Sequence, residues 1–323
     1  MSEVSVDLLI VGAGPSGLFA TYYAGFRGMS VGLVDSLPEL GGQVTAMYPE
    51  KAILDVAGFP SVKGRDLVAG LVEQAATAAP EYMLGRTALE LEHREDDVVV
   101  TLDDGTRVVA KAVLVTAGIG KFSPRQLPVG EEWLGRGMEY FVPSFAPYAG
   151  RDVVIVGGGD SAFDWAQNLE PIARSVTLIH RRDAFRAHER TVAQVKASSV
   201  RIITKAQVTA LTGEGTLQRV EVTVDGEEPQ QLEATAVVAA LGFVADLGPL
   251  QKWGLETEKR HILVDSSMRT NLPRVFAAGD INAYPGKVRL IAVGFGEAAT
   301  AVNNAAVVID PTAHVFPGHS SEG

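Results

Sequence analysis

At 323 residues, 46% hydrophobic and 21% charged, the chain is long enough for two domains and apolar enough to bury a core in each. Its net charge of −11, with no like-charge block, argues against binding nucleic acid or a membrane surface, because both need surplus Lys and Arg. With no cysteine, disulfides, thiolate nucleophiles, Cys-based zinc or iron–sulfur sites and dithiol redox motifs are excluded, and no metal site is expected.

The N-terminus carries Glu3 and Asp7 without a basic run, so no signal peptide is expected. The longest nearly apolar run read in the sequence, Ala234–Ala245, is too short to span a bilayer. A cytoplasmic protein is the expectation.

The first predicted strand, Leu8–Val11, runs into Gly12-Ala-Gly14-Pro-Ser16-Gly17 and then into a helical segment. A second strand, Ser30–Val34, ends at Asp35. This is the dinucleotide-binding βαβ pattern. The first Gly makes the turn, the second lets a pyrophosphate approach, and the third lets helix pack on strand. Asp35 lies where a carboxylate accepts hydrogen bonds from ribose hydroxyls. Val98–Leu102 and Arg107–Val109 flank the hairpin signal Asp104-Gly105, and a strand from Ala112 to Gly118 follows.

The pattern returns 145 residues later without a gap. Val153–Val156, Gly157-Gly-Gly159-Asp160-Ser161-Ala162 and Ser175–Ile179 align on the first copy, and His180 falls where Asp35 falls. Here no acid stands at the strand end. His180-Arg181-Arg182, with Arg186 one turn on, offers a cluster that can wrap a dianionic phosphate, so the second site is expected to hold NADP(H) rather than NAD(H). The hairpin at Asp225-Gly226 and the strand Ala236–Gly242 echo the first copy.

The expected fold class is therefore α/β, with two Rossmann-like three-layer dinucleotide-binding domains, one inserted in the other. Residues 1–120 and 244–323 form the first and 121–243 the second, with Gly-rich crossings at Gly118-Ile-Gly120 and Leu241-Gly242.

Two such folds, together with Thr270-Asn-Leu-Pro-Arg-Val-Phe-Ala-Ala-Gly279-Asp280, resemble the two-domain flavoprotein reductases. Within that superfamily, Gly157–Ala162 and His180–Ala187 are very similar to thioredoxin reductase. Its Cys-x-x-Cys, however, is replaced here by Glu139–Tyr148, which holds no sulfur. Leu37–Gln43, Ala46–Lys51, Asp55–Pro60, Gly159–Trp165 and Pro317–Ser321 resemble the thioredoxin-reductase-like ferredoxin–NADP⁺ reductases, and the likeness runs from residue 6 to residue 321.

That resemblance implies FAD contacts at Gly12, Gly14, Ser16, Gly17, Asp35, Gln43, Tyr48, the backbone of Ala88, Phe122, Asp280 and Ser321. It implies NADP contacts at Gly157, Gly159, Asp160, Ser161, Ala162, His180, Arg181, Arg182 and Arg186. Tyr48 would stack on one face of the isoalloxazine, and His319, from the tail of a homodimer partner, on the other. On that resemblance hydride would pass from NADPH to flavin N5 and electrons would leave one at a time to ferredoxin or flavodoxin, which requires no side-chain acid or base. Rotation of the second domain about the two crossings is implied as well. Other readings stand beside this one: a Cys-less thioredoxin-reductase-like flavoprotein with another acceptor, a flavin monooxygenase, and a non-catalytic nucleotide or redox sensor.

Overall fold

The computed structural model describes residues 2–316 and 318. The chain divides into two compact units, Met1–Lys121 with Ala245–Gly323, and Phe122–Val244. The first opens with β1 (Glu3–Val11), α1 (Pro15–Phe26) and β2 (Val31–Asp35). Next come α2 (Gln43–Met47), α3 (Gly64–Ala76), β3 (Glu81–Leu84), a hairpin of Ala88–His93 with Val98–Leu102, and β4 (Arg107–Val115). The second unit contains β5 (Asp152–Val156), α4 (Asp160–Leu169), β6 (Ser175–Ile179), α5 (Glu189–Lys196) and β7 (Arg201–Ile203). Three antiparallel strands (Ala206–Glu214, Thr216–Val224 and Gln230–Glu233) lead to β8 (Ala236–Ala239). Back in the first unit the chain adds β9 (Val275–Ala277) and α6 (Ile291–Ile309).

In the first unit β3, β2, β1, β4 and β9 lie side by side and parallel. Successive side chains of a strand point to opposite faces, and here both faces are covered, which is why the strands read as unbroken apolar runs. Leu8, Ile10, Leu33 and Leu114 meet Leu18, Leu67, Leu71 and Val302 of the helices. Leu9, Val11, Val34, Val113 and Val115 meet Val98 and Val100 of the hairpin, with Leu247, Leu250 and Trp253. The sequence pattern predicts Arg107–Val109 and a strand starting at Ala112 as separate elements. The structure joins them in β4, whose first half pairs with the hairpin and whose second half pairs with β9.

In the second unit Met138–Glu139, β8, β5, β6 and β7 form a parallel sheet. Val154, Val156, Ile179, Val237 and Ala239 pack against Val208, Leu211, Val220 and Val222 of the antiparallel strands. Helix α4 buries Ala162, Phe163, Trp165, Ala166 and Leu169.

The duplication extends to strand register. Leu8 pairs with Val31 and Val11 with Val34, just as Val153 pairs with Val176 and Val156 with Ile179. Even the strand starts are tied alike. Ser30 Oγ donates to Asp7 at 2.8 Å, and Ser175 Oγ to Asp152 at 2.7 Å.

The run Ala234–Ala245 is not one element: β8 covers four residues of it, and Gly242 turns the chain at φ +81°. A longer apolar stretch is α6, 19 residues at mean hydropathy 1.3, long and apolar enough by composition to cross a membrane. Its Gly294, Glu297, Ala298, Ala301, Val302, Ala305 and Ala306 are buried, and it packs with α1 in the core. Burial of a charged Glu in that face marks a core helix.

Candidate functional site

In the first unit β1 delivers the chain to Gly12, where φ is +116° and the N–H donates to Val34 O at 2.8 Å. A Cβ there would fall 2.6 Å from the backbone of Thr116, and one on Gly17 would overlap Gly12 O. Thr116 Oγ1 donates to Gly12 O at 2.7 Å, fixing the turn from behind. Gly14 is different: nothing lies within 4 Å of where its Cβ would be. It caps α1, whose first turn has no side-chain cap and no acidic residue. Gly12 and Gly17 thus serve close packing, whereas Gly14 leaves open space in front of an uncapped helix N-terminus. Such an end carries unsatisfied N–H groups and partial positive charge and suits a phosphate.

Asp35, at the end of β2, accepts from Ala13 N at 2.6 Å through Oδ2 and from Leu37 N at 2.8 Å through Oδ1. Burial pushes its pKa above the ordinary carboxylate value, and the two backbone donors oppose that. The loop before α2 lies on the same turn: Gly41 N donates to Ala13 O at 2.8 Å, and a Cβ on Gly42 would come 2.9 Å from Gly14 Cα. A Cβ on Gly118 would meet Gln43 Nε2 at 2.6 Å, which places Gln43 against the end of the crossing strand.

Tyr48, just after α2, is partly buried. Burial, then the charges of Asp280 and Asp55, push its phenol up to about 12. The charge of Asp280 therefore reaches the Tyr48 phenol. Ser16 Oγ would overlap a Cβ on Gly294 and stand 2.9 Å from one on Gly279, so two glycines make room for it. Asp280 is held above its ordinary pKa by burial, while Lys287, Arg289 and His261 pull it down and Glu297 pushes it up.

The turn before Asp280 is tied at both polar groups. Gly279 N donates to Glu297 Oε2 at 2.8 Å, and Lys287 Nζ donates to Gly279 O at 3.0 Å. Glu297 also pairs with Lys287 and accepts from Tyr284 Oη at 2.7 Å and Asn282 Nδ2 at 3.1 Å. Lys287 and Glu297 side chains are each 4% exposed.

Of the remaining first-site expectations, Ala88 is buried opposite Leu102 in the hairpin. Phe122 falls in the second unit, edge-on to Phe243 at 6.2 Å, with Phe141 stacked on Phe243. His319 and Ser321 lie outside the described residues.

In the second unit a Cβ on Gly157 would overlap Ala240 O, and Ala162 Cβ would stand 2.9 Å away. Gly159 repeats Gly14: extended, capping α4, and open within 4 Å. Asp160 and Ser161 open that helix on the exposed side. His180 lays its ring where a Gly158 Cβ would be, and its Nε2 lies 3.2 Å from Ala184 O. Arg186 N donates to Gly158 O at 2.8 Å, and His188 N to Asp160 Oδ1 at 2.9 Å. The loop 180–188 is thus pinned to the glycine turn before any ligand arrives. Burial first, then the charges of Arg181, Arg182 and Arg186, depress the His180 pKa, so all three Arg share its surroundings. Asp183 is turned away to Lys205 at 3.0 Å. Among the described residues none of the three exposed Arg has an ion-pair partner.

Sequence reading missed Thr116, Gly158, Lys287 and Glu297. The signal for Glu297 was present: it is the only charged residue of α6.

One glycine-fronted, uncapped helix end thus stands beside a carboxylate and another beside three Arg without an ion-pair partner among the described residues. The family described as pyridine nucleotide-disulphide oxidoreductase matches residues 6–305. The chain belongs to this family. It is 76% identical to a ferredoxin–NADP reductase of Nocardioides sp., over 100% of this chain and 98% of the relative. A ferredoxin–NADP reductase of Salinispora arenicola is 64% identical over 98% of this chain and 99% of its own. Among solved structures, thioredoxin reductase of T. acidophilum superposes with a TM-score of 0.78 at 27% identity, covering 94% of this chain and 98% of that one. Lactococcus lactis thioredoxin reductase gives 0.76 at 25%, covering 94% and 99%. The family's disulphide chemistry has no counterpart here, because the chain contains no cysteine.

Proposed function

We propose that the chain is an FAD-dependent oxidoreductase that moves electrons from NADPH to ferredoxin. The observation that carries this is the opposed chemistry of two matching turns in a chain similar over its full length to ferredoxin–NADP reductases. The first turn fits FAD: it is open at Gly14, faces an uncapped helix, and ends at an acid that would repel a 2′-phosphate. The second fits NADP(H): the same opening at Gly159 is followed by Arg181, Arg182 and Arg186. The first unit is thus the FAD domain and the second the NADP domain.

When bound, FAD supplies two-electron acceptance from NADPH and one-electron release to the iron–sulfur partner. The residues do the holding. The start of α1 faces the pyrophosphate, and Asp35 orients the adenosine ribose. Gln43, Ser16 and Asp280 line the path towards the ring. Tyr48 keeps its proton at neutral pH and offers a neutral face to it. Arg181, Arg182 and Arg186 take the 2′-phosphate, and loop 180–188 is held ready by Gly158 and Asp160. No side-chain acid or base is required, and the absence of thiols sends electrons directly to an external acceptor, flavodoxin being a second one.

A cytoplasmic homodimer completes the reading. On α1 and α6, Phe19, Tyr22, Tyr23, Phe26 and Phe295 form a ladder of rings 5.2–6.4 Å apart, with Phe26 61% exposed. An apolar face of this kind supports coverage by a second copy, whose His319 would reach this copy's flavin. The test is to release the flavin from purified protein by denaturation and chromatograph it, and to bleach the intact protein with NADPH or NADH. FAD and faster bleaching by NADPH support the reading. FMN, or no flavin, overturns it.

A further inference from the structure

Charged pairs this deeply buried are expensive, because both ions leave water, so a fold that needs only stability does better with apolar residues of the same volume. Lys287 and Glu297 are nevertheless buried to 4% exposure each, and both spend hydrogen bonds on one residue, Gly279. Gly279 has φ +83°, the left-handed region that favours glycine. Its N–H goes to Glu297 Oε2, and its carbonyl accepts from Lys287 Nζ and from the backbone N–H of Asn282. Tyr284 and Asn282 complete the Glu297 carboxylate. Asn282 Oδ1 is left as a buried acceptor without a partner among the described residues. The pair therefore grips the peptide groups immediately before Asp280, and Lys287 is also the charge that most opposes the burial of Asp280.

We infer that Lys287 and Glu297 are positioning residues for the flavin nucleotide: together they hold the Gly279–Asp280 turn in its ligand-ready shape before FAD binds. This rests on the reading of the first unit as the FAD domain. Neither side chain needs to touch the cofactor. They act through Gly279, which in turn aims Asp280 and leaves room for Ser16.

The test uses the full chain. Lys287→Met with Glu297→Met removes both charges at once and leaves neither buried alone, so the double variant is expected to keep a cooperative melt, lowered only by the donors of Gly279, Asn282 and Tyr284 that lose their acceptor. Its apoprotein is expected to bind FAD roughly ten- to a hundredfold more weakly, the loss of charge-assisted bonds that hold a binding turn. NADPH binding, which belongs to the other unit, stays unchanged. The visible circular dichroism of the flavin that does bind is expected to differ from wild type, a change that a purely structural role would not cause. Wild-type FAD affinity and an unaltered flavin spectrum in the folded double variant would overturn the inference.

A second measurement needs no variant. In wild-type apoprotein the Gly279 amide is expected to exchange with solvent slowly, because Glu297 already holds it. Exchange as fast as in an open loop, with protection only after FAD is added, would also overturn it. Wild-type protein that binds no FAD at all would instead sink the flavoprotein reading.

Discussion

His180 stands at the end of β6 where Asp35 stands at the end of β2, and the two treat the matching residue of the glycine turn in opposite ways. Asp35 accepts the N–H of Ala13, while His180 lays its ring over Gly158, the residue equivalent to Ala13. One side chain closes the turn with a negative group, and the other frees the space beyond it for three Arg. On the proposed assignment, a single fold thereby acquires two nucleotide preferences.

That contrast sets the first expectation. Arg181→Ala with Arg182→Ala raises the KM for NADPH roughly ten- to a hundredfold, the worth of lost charge-assisted bonds, and barely changes that for NADH. Steady-state kinetics with both nucleotides checks it. Equal losses for the two would show that the cluster does not read the 2′-phosphate.

The glycines separate fold from binding. Gly17→Ala forces a Cβ onto Gly12 O and is expected to cost about 1–3 kcal/mol of stability. Gly14→Ala meets nothing within 4 Å and has ordinary φ −72°, so the apoprotein melts as wild type while FAD affinity falls roughly tenfold or more. Melting of apoprotein alongside FAD titration decides. Retention of full FAD affinity by the Gly14 variant would mean that the open space is not where the pyrophosphate sits.

Much of this was legible in the sequence, because a dinucleotide turn is a local device. Spacing alone carried the duplication, the strand ends at Asp35 and His180, and the Arg cluster. The structure even reproduces the copied register of Leu8 with Val31 in Val153 with Val176. What could not be read depends on chain segments meeting from afar. Thr116 reaches Gly12 across 104 residues. Glu297 lies in a helix whose composition reads as apolar, and nothing local says that Lys287 folds back onto it. Similarly, the two apolar segments around Lys111 merge into β4 because each half finds a different partner strand.

Gly158→Ala tests the His180 arrangement. The new methyl would displace the imidazole ring, and with it the loop that Gly158 O holds through Arg186 N. NADPH affinity is expected to drop while bound FAD stays at one per chain. Isothermal titration with NADP⁺ and the flavin absorbance ratio report the two separately, and unchanged NADP⁺ binding would contradict the pinned-loop account.

Tyr48 gives a pH signature. Its phenol pKa is raised from 10.0 to about 12 in the folded chain, so the stability it contributes is complete below 10 and is lost as pH climbs through about 12. Burial of Tyr148 and Tyr284 raises theirs to about 12 as well. Tyr48→Phe is expected to remove one late-ionising phenol from an ultraviolet titration of the native apoprotein. Loss of an early-ionising phenol instead would show Tyr48 to be solvated.

The central claim is that electrons pass from NADPH through one bound flavin to an iron–sulfur protein without any thiol relay. Anaerobic stopped-flow mixing of the purified yellow protein with NADPH, followed by oxidised ferredoxin, tests it most directly. The expected result is rapid bleaching by NADPH, slower bleaching by NADH, and return of the flavin absorbance as ferredoxin is reduced. A flavin that NADPH does not bleach, or that stays reduced in the presence of ferredoxin, would contradict it.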